Sequence, residues 1–142
     1  MSPRESDLDR MTRRLHGPEA VSLASDAARE FGSAQWLAAD ELARLCIVIE
    51  ELVANLYEHG GVAEQDEVEL SLISESEGVR VVIVDPGVPF DPWEMPERPE
   101  VPDRGGGAGI GIIRAWAQFI DYKVTDRGNR LELLLPLHWG AD

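Results

Sequence analysis

The stretch from Val68 to Val84 constrains the fold most. Val68, Leu70 and Leu72 alternate with Glu69 and Ser71, Ser76-Glu77-Gly78 supplies a turn, and Val79 to Val84 is almost wholly apolar. A period of two suits a pleated strand rather than a helix, so this segment predicts a β-hairpin. Upstream the period changes. From Pro18 to Gly32, Val21, Leu23, Ala24, Ala27, Ala28 and Phe31 recur at helical spacing. A second helix is predicted from Asp40, read as its cap, through Leu42, Leu45, Ile49, Leu52 and Leu56 to the stop at Gly60-Gly61. Ile110, Ile113 and Ala117, with Trp116 beside them, mark a third helix. Tyr122 to Thr125 and the alternating Leu131, Leu133, Leu135 and Leu137 flank an Asp126-Arg127-Gly128-Asn129 turn. Met11 to His16 reads as a short edge strand. Between the first hairpin and the third helix, Pro86, Pro89, Pro92, Pro96, Pro99 and Pro102 forbid regular structure and predict a long loop of the kind that forms lids. Helices and strands that follow one another without strict alternation predict an α+β two-layer sandwich, with helices on one face of a mixed, mostly antiparallel sheet.

Length and composition narrow the function. The chain has 142 residues, 44% of them hydrophobic, which favours one domain over residues 11–142 behind a flexible N-terminus at 1–10. Lys+Arg 13 against Asp+Glu 27 gives a net charge of −14, which repels nucleic acid and anionic lipid. Any bound polyanion must therefore rely on local donors and a metal ion. Cys46 is the single cysteine, so an internal disulfide is impossible and a thiolate zinc site is disfavoured. No apolar run approaches the roughly 20 residues of a spanning helix, and the charged start is unlike a secretory signal. The expectation is a soluble, cytoplasmic protein.

Three segments carry chemistry. On a helical wheel Glu51, Asn55 and His59 fall on one line up the second helix, bordering its apolar face. A carboxylate or amide at such an edge is costly to bury unless a ligand, ion or water pairs with it. Asp85 follows Val79, Val81 and Ile83 at period two, so its carboxylate projects with core residues just where Pro86-Gly87 breaks the strand. A purine amino group is a suitable donor to that carboxylate, and Gly87 admits a flat base close to the backbone. Gly105, Gly106, Gly107, Gly109 and Gly111 precede or open the third helix, where free N–H groups and the helix dipole attract phosphate oxygens. Each segment alone has a plainer reading: surface polars on an acidic helix, with Glu50 and Glu58 a solvated face, an Asp-Pro-Gly turn, and a glycine hinge. The glycines match neither a P-loop nor a dinucleotide fingerprint.

In this order the ELVANLYEHG, DPGVPFDP and GGGAGIG segments resemble the GHKL (Bergerat-fold) ATPase superfamily. The compact size and the wording of the boxes resemble the bacterial anti-sigma-factor serine kinases within it. The resemblance spans about residues 11–137. It implies Mg-ATP as ligand, with Glu51 as general base and Asn55 holding Mg²⁺. Asp85 would hold the adenine amino group, with Gly87 close to the ring and Phe90 and Asp91 at the pocket mouth. Gly107, Gly109 and Gly111 would sit on the phosphates under a lid from Pro92 to Arg104, with His59 at the end of the binding helix. Two departures stand out. Asn129 occupies the approximate place of a threonine that supports the adenine aspartate, where a water-mediated contact is the expectation. The lid arginine has Arg104 as its nearest match, one position out of register, with Arg98 as a second candidate.

The implied activity is that of an ATP-dependent protein serine/threonine kinase. It would act as an anti-sigma factor, phosphorylating a STAS-type antagonist and sequestering a sigma factor, often as a homodimer, for which the alanine-rich first helix is a candidate face. The rival is a non-catalytic module of the same fold that binds nucleotide and partner proteins. The ATPase half of a sensor histidine kinase is disfavoured, because His16, His59 and His138 stand in no dimerisation hairpin.

Overall fold

The computed structural model describes residues 9–89 and 105–137. Five strands, β1 (Arg10–Leu15), β2 (Val68–Glu75), β3 (Gly78–Asp85), β4 (Gln118–Thr125) and β5 (Gly128–Pro136), form one sheet in the order β1-β2-β3-β5-β4. Among the described residues every pairing is antiparallel, so the sheet is antiparallel rather than mixed. Three helices, α1 (Ala20–Ala34), α2 (Ala39–His59) and α3 (Gly105–Trp116), complete the α+β sandwich. Among the described residues no helix is long and apolar enough to cross a membrane.

The core lies between sheet and helices. Val68, Leu70 and Leu72 of β2, Val79, Val81 and Ile83 of β3, and Leu131, Leu133 and Leu135 of β5 meet Phe31 of α1, Leu45, Ile49 and Leu52 of α2, and Ile113 of α3. Period-two strands thus cover one face, and burial of that face supplies the main stabilisation. In α1 the buried hydrophobic residues are Ala20, Ala24, Ala27, Ala28 and Phe31, while Leu23 is exposed. The alanines are consumed by packing within the chain, because short side chains let α1 lie close to α2 and β1.

Two helix ends differ from expectation. Gly32 does not stop α1. It lies inside the helix, where a side chain would meet Leu42 and Leu37, and the helix ends at Ala34 with Trp36 in the left-handed region at φ 63. Asp40 does not cap α2. Ala38 holds that position without a side-chain bond, and Asp40 and Glu41 sit in the first turn, where their charge favours the helix dipole. At the far end Gly60 N–H donates to the carbonyls of Asn55 and Leu56, and Gly61 at φ 73 turns the chain away.

Candidate functional site

Strand β3 ends at Asp85, opposite Asn129 of β5 in the ladder, and both side chains are buried. Asp85 Oδ1 accepts from the Gly87 N–H at 2.8 Å and from Asn129 Nδ2 at 3.2 Å. Asn129 Nδ2 also donates to the Gly87 and Val88 carbonyls at 2.9 and 3.2 Å. The contact between Asn129 and Asp85 is therefore direct rather than water-mediated. A side-chain amide brings two N–H donors to the aspartate and the turn carbonyls, where a threonine hydroxyl would bring one. Burial raises the pKa of Asp85 above the usual range, and the hydrogen bonds from Gly87 and Asn129 pull it partly back.

The Asp85 turn is docked on the end of α2, since Val88 N–H donates to the Gly60 carbonyl at 2.9 Å. A side chain at Gly87 would collide with that carbonyl and with Val62. Glycine is thus required at position 87 by the protein's own packing, independently of any base lying beside it. The Gly60-Gly61 pair, read from sequence only as a helix stop, is part of the site's frame. Its carbonyl contact with Val88 had no local sequence signal.

Along α2 the polar stripe divides into three environments. Asn55 is 1% exposed, and its Nδ2 is buried without a hydrogen-bond partner among the described residues. Glu51, one turn earlier, is half-buried. Desolvation raises its pKa, and the carboxylates of Glu58 and then Glu50 push the same way. His59 is exposed in the last turn, with Nε2 3.9 Å from Glu58 Oε1. Glu50, expected on a solvated face, is half-buried and accepts from Ser25 Oγ at 2.6 Å. At a helical rise of about 1.5 Å per residue, Asn55 lies roughly 7.5 Å along the axis from Gly60. One helix therefore carries a desolvated carboxylate, an unsatisfied amide and the dock for the aspartate turn.

Gly105, Gly107, Gly109 and Gly111 all fall within α3, so the glycine run forms the helix rather than preceding it. The Arg44 guanidinium lies 5.9 Å from the Trp116 ring centre, tying the last turn of α3 to α2. Phe90, Asp91, the proposed lid from Pro92 to Arg104 with Arg98, and His138 lie outside the described residues.

The residues present suit a magnesium-bound nucleotide. An amide donor buried without an acceptor is costly, and phosphate oxygens or an ion's water shell supply acceptors. Among the described residues no group of three or more His, Cys, Asp or Glu side chains could hold a metal by itself.

Comparison with curated proteins finds no match. Comparison with protein families finds one that covers residues 16–135, described as the histidine kinase-like ATPase domain. That span begins just after β1 and contains α1, α2, the Asp85 turn, α3 and all but the last residue of β5. The chain belongs to the family of histidine kinase-like ATPase domains, the ATP-binding modules of the GHKL type.

Proposed function

We propose that the chain is a Mg-ATP-dependent serine-protein kinase that acts as an anti-sigma factor or related partner-switching regulator. Its substrate on this reading is a small STAS-type antagonist protein. The observation that carries the reading is the pairing, one turn apart on α2, of a carboxylate with a raised pKa and a buried amide whose nitrogen lacks a partner among the described residues. A carboxylate made more basic by desolvation is suited to take the proton of a serine hydroxyl as it attacks. Asn55 would hold the magnesium ion through its amide oxygen, and the ion would neutralise charge on the phosphate oxygens. Asp85, fixed by Asn129 and Gly87, would accept from the adenine amino group. Cytoplasmic location and a sigma-factor partner follow from the same reading. A homodimer would use a surface other than the alanine face of α1, which is buried within the chain.

The test is incubation with ATP labelled at the γ-phosphate and candidate STAS-type proteins, with Glu51→Ala as control. Label on the antagonist with wild type alone supports a kinase. If wild type binds ATP and labels none of them, the non-catalytic module is the better reading.

A further inference from the structure

The open face of the sheet, opposite the helices, carries a cavity of about 320 Å³ bounded by Glu67, Glu69, Val84, Arg127 and Arg130, with Asp85-Pro86 as one wall. The strand register explains its composition. Arg14 pairs with Glu69, Glu69 with Val84, and Val84 with Arg130, so these four lie in one row across β1, β2, β3 and β5. Val84 makes an apolar floor between two charged ends.

Those ends have opposite surplus charge. At the β1–β2 end Arg14 faces two carboxylates, Glu67 at 3.2 Å and Glu69 at 3.8 Å, leaving one negative charge in excess. At the other end Arg130 is matched by Glu132 at 2.6 Å, but Arg127, exposed in the β4–β5 turn, has no ion-pair partner among the described residues. The buried Asp85 carboxylate is held by Gly87 and Asn129, so among the exposed groups the positive end is in excess by one. Two strand spacings separate β2 from β5, roughly 10 Å. The cavity is polarised, with a size at the lower limit of small-molecule sites.

We propose that this cavity is a second ligand site, for a short peptide-like zwitterion whose ammonium faces Glu67 and Glu69 and whose carboxylate faces Arg127 and Arg130. A fully extended tripeptide, about 10 Å long, spans that separation. A simple anion would satisfy only one end and would meet repulsion at the other. The site is independent of the nucleotide reading, although it touches the same turn. A side chain at Gly128, next to Arg127, would meet the Asp85 carbonyl, so the arginine turn is seated directly on the end of β3.

Triglycine is the probe, titrated into the ¹⁵N-labelled full chain with amide shifts as readout. Saturable shifts at Val84, Arg127, Gly128 and Arg130 are expected. Affinity should fall about tenfold in Arg127→Gln and in Glu67→Gln, the weight of one charged hydrogen bond. Both residues are exposed, so the variants should fold, and unchanged spectra away from the cavity check this. N-acetyl-triglycine and triglycine amide, each lacking one charge, should bind as weakly as the variants. Shifts that fail to saturate, equal binding by the blocked peptides, or wild-type affinity in Arg127→Gln would each overturn the proposal.

Discussion

Asn55 and Asn129 are both buried, 1% and 3% exposed, yet Asn129 donates to three oxygens while the Asn55 nitrogen has no partner among the described residues. The two mark opposite halves of the candidate site. Around Asn129 the aspartate turn is complete in itself, closed by its own hydrogen bonds and by the Gly60 carbonyl. Around Asn55 a polar group has been taken out of water and left unpaired, beside a carboxylate that burial has made harder to ionise. Unsatisfied buried groups are costly, so the contrast separates the half that is pre-formed from the half that a ligand must complete.

The largest effect expected is on chemistry. On the kinase reading, Glu51→Gln removes the base while keeping shape and hydrogen-bonding capacity, so phosphoryl transfer should fall roughly 10²–10⁴-fold. Nucleotide affinity, measured by calorimetry, should stay within a factor of about two, since a base acts on the transferring proton rather than on the bound ground state. Equal losses in rate and affinity would show that Glu51 serves binding and that the unfinished half has no catalytic part.

The asparagines should then respond with opposite signs to one substitution. Asn129→Ala strands the Gly87 and Val88 carbonyls and takes one donor from Asp85, and urea unfolding should show a loss of about 2 kcal/mol. Asn55→Ala removes a donor that was never satisfied, so stability should hold or rise by about 1 kcal/mol, while the magnesium-dependent part of nucleotide binding disappears. Similar destabilisation by both would mean that Asn55 has a structural partner in solution, and the division of the site would collapse.

Much of this was legible in the chain, but unevenly, and the reason is range. The strands and α2 could be read because period two and period 3.6 are local, and the same period-two argument correctly turned Asp85 inward. Applied to Asn129 it works as well, since Asn129 stands in step with Leu131, Leu133 and Leu135, yet grouping it with the Asp126-Arg127 turn hid that it is a strand residue. The wheel put Asn55 at the border of the apolar face. Its full burial depends on neighbours from other elements that a single-helix projection does not contain. Gly87 suits a base lying close to the backbone, but the contact that demands glycine there within the chain, with the carbonyl of Gly60, is distant in sequence and carries no local signal. Asp40 shows the converse limit: its residue type suits a cap, but the helix starts one residue before it.

A smaller effect tests how complete the aspartate half is. Asn at position 85 keeps an oxygen for the Gly87 and Asn129 donors and removes the buried charge. The folded-state pKa of Asp85 is raised, so the stabilisation from its protonation is fully present below the unfolded value, about 3.9, and is lost as pH rises through the folded value. Asp85→Asn should therefore gain stability relative to wild type between about pH 4 and neutrality, even as adenine selectivity weakens. A stability difference that does not vary with pH over that window would place the carboxylate in water rather than in the turn.

The smallest effect probes the unfinished half through its electrostatics. Glu51 must be ionised to act as a base, so the rate should fall on the acid side at a pH above that of an ordinary glutamate, because its folded pKa is raised. Desolvation is the leading cause and survives any change to neighbours. Glu58 comes next and Glu50 last, so Glu58→Gln should move the acid limb to lower pH, and by more than Glu50→Gln does. The two also differ in kind. Glu58 is exposed and acts through solvent, so its influence should shrink with added salt, while Glu50 is half-buried and bonded to Ser25, so its replacement also disturbs the α1–α2 contact. An acid limb that ignores both substitutions would leave burial as the sole cause, and the line between the two halves of the site would then rest on desolvation alone.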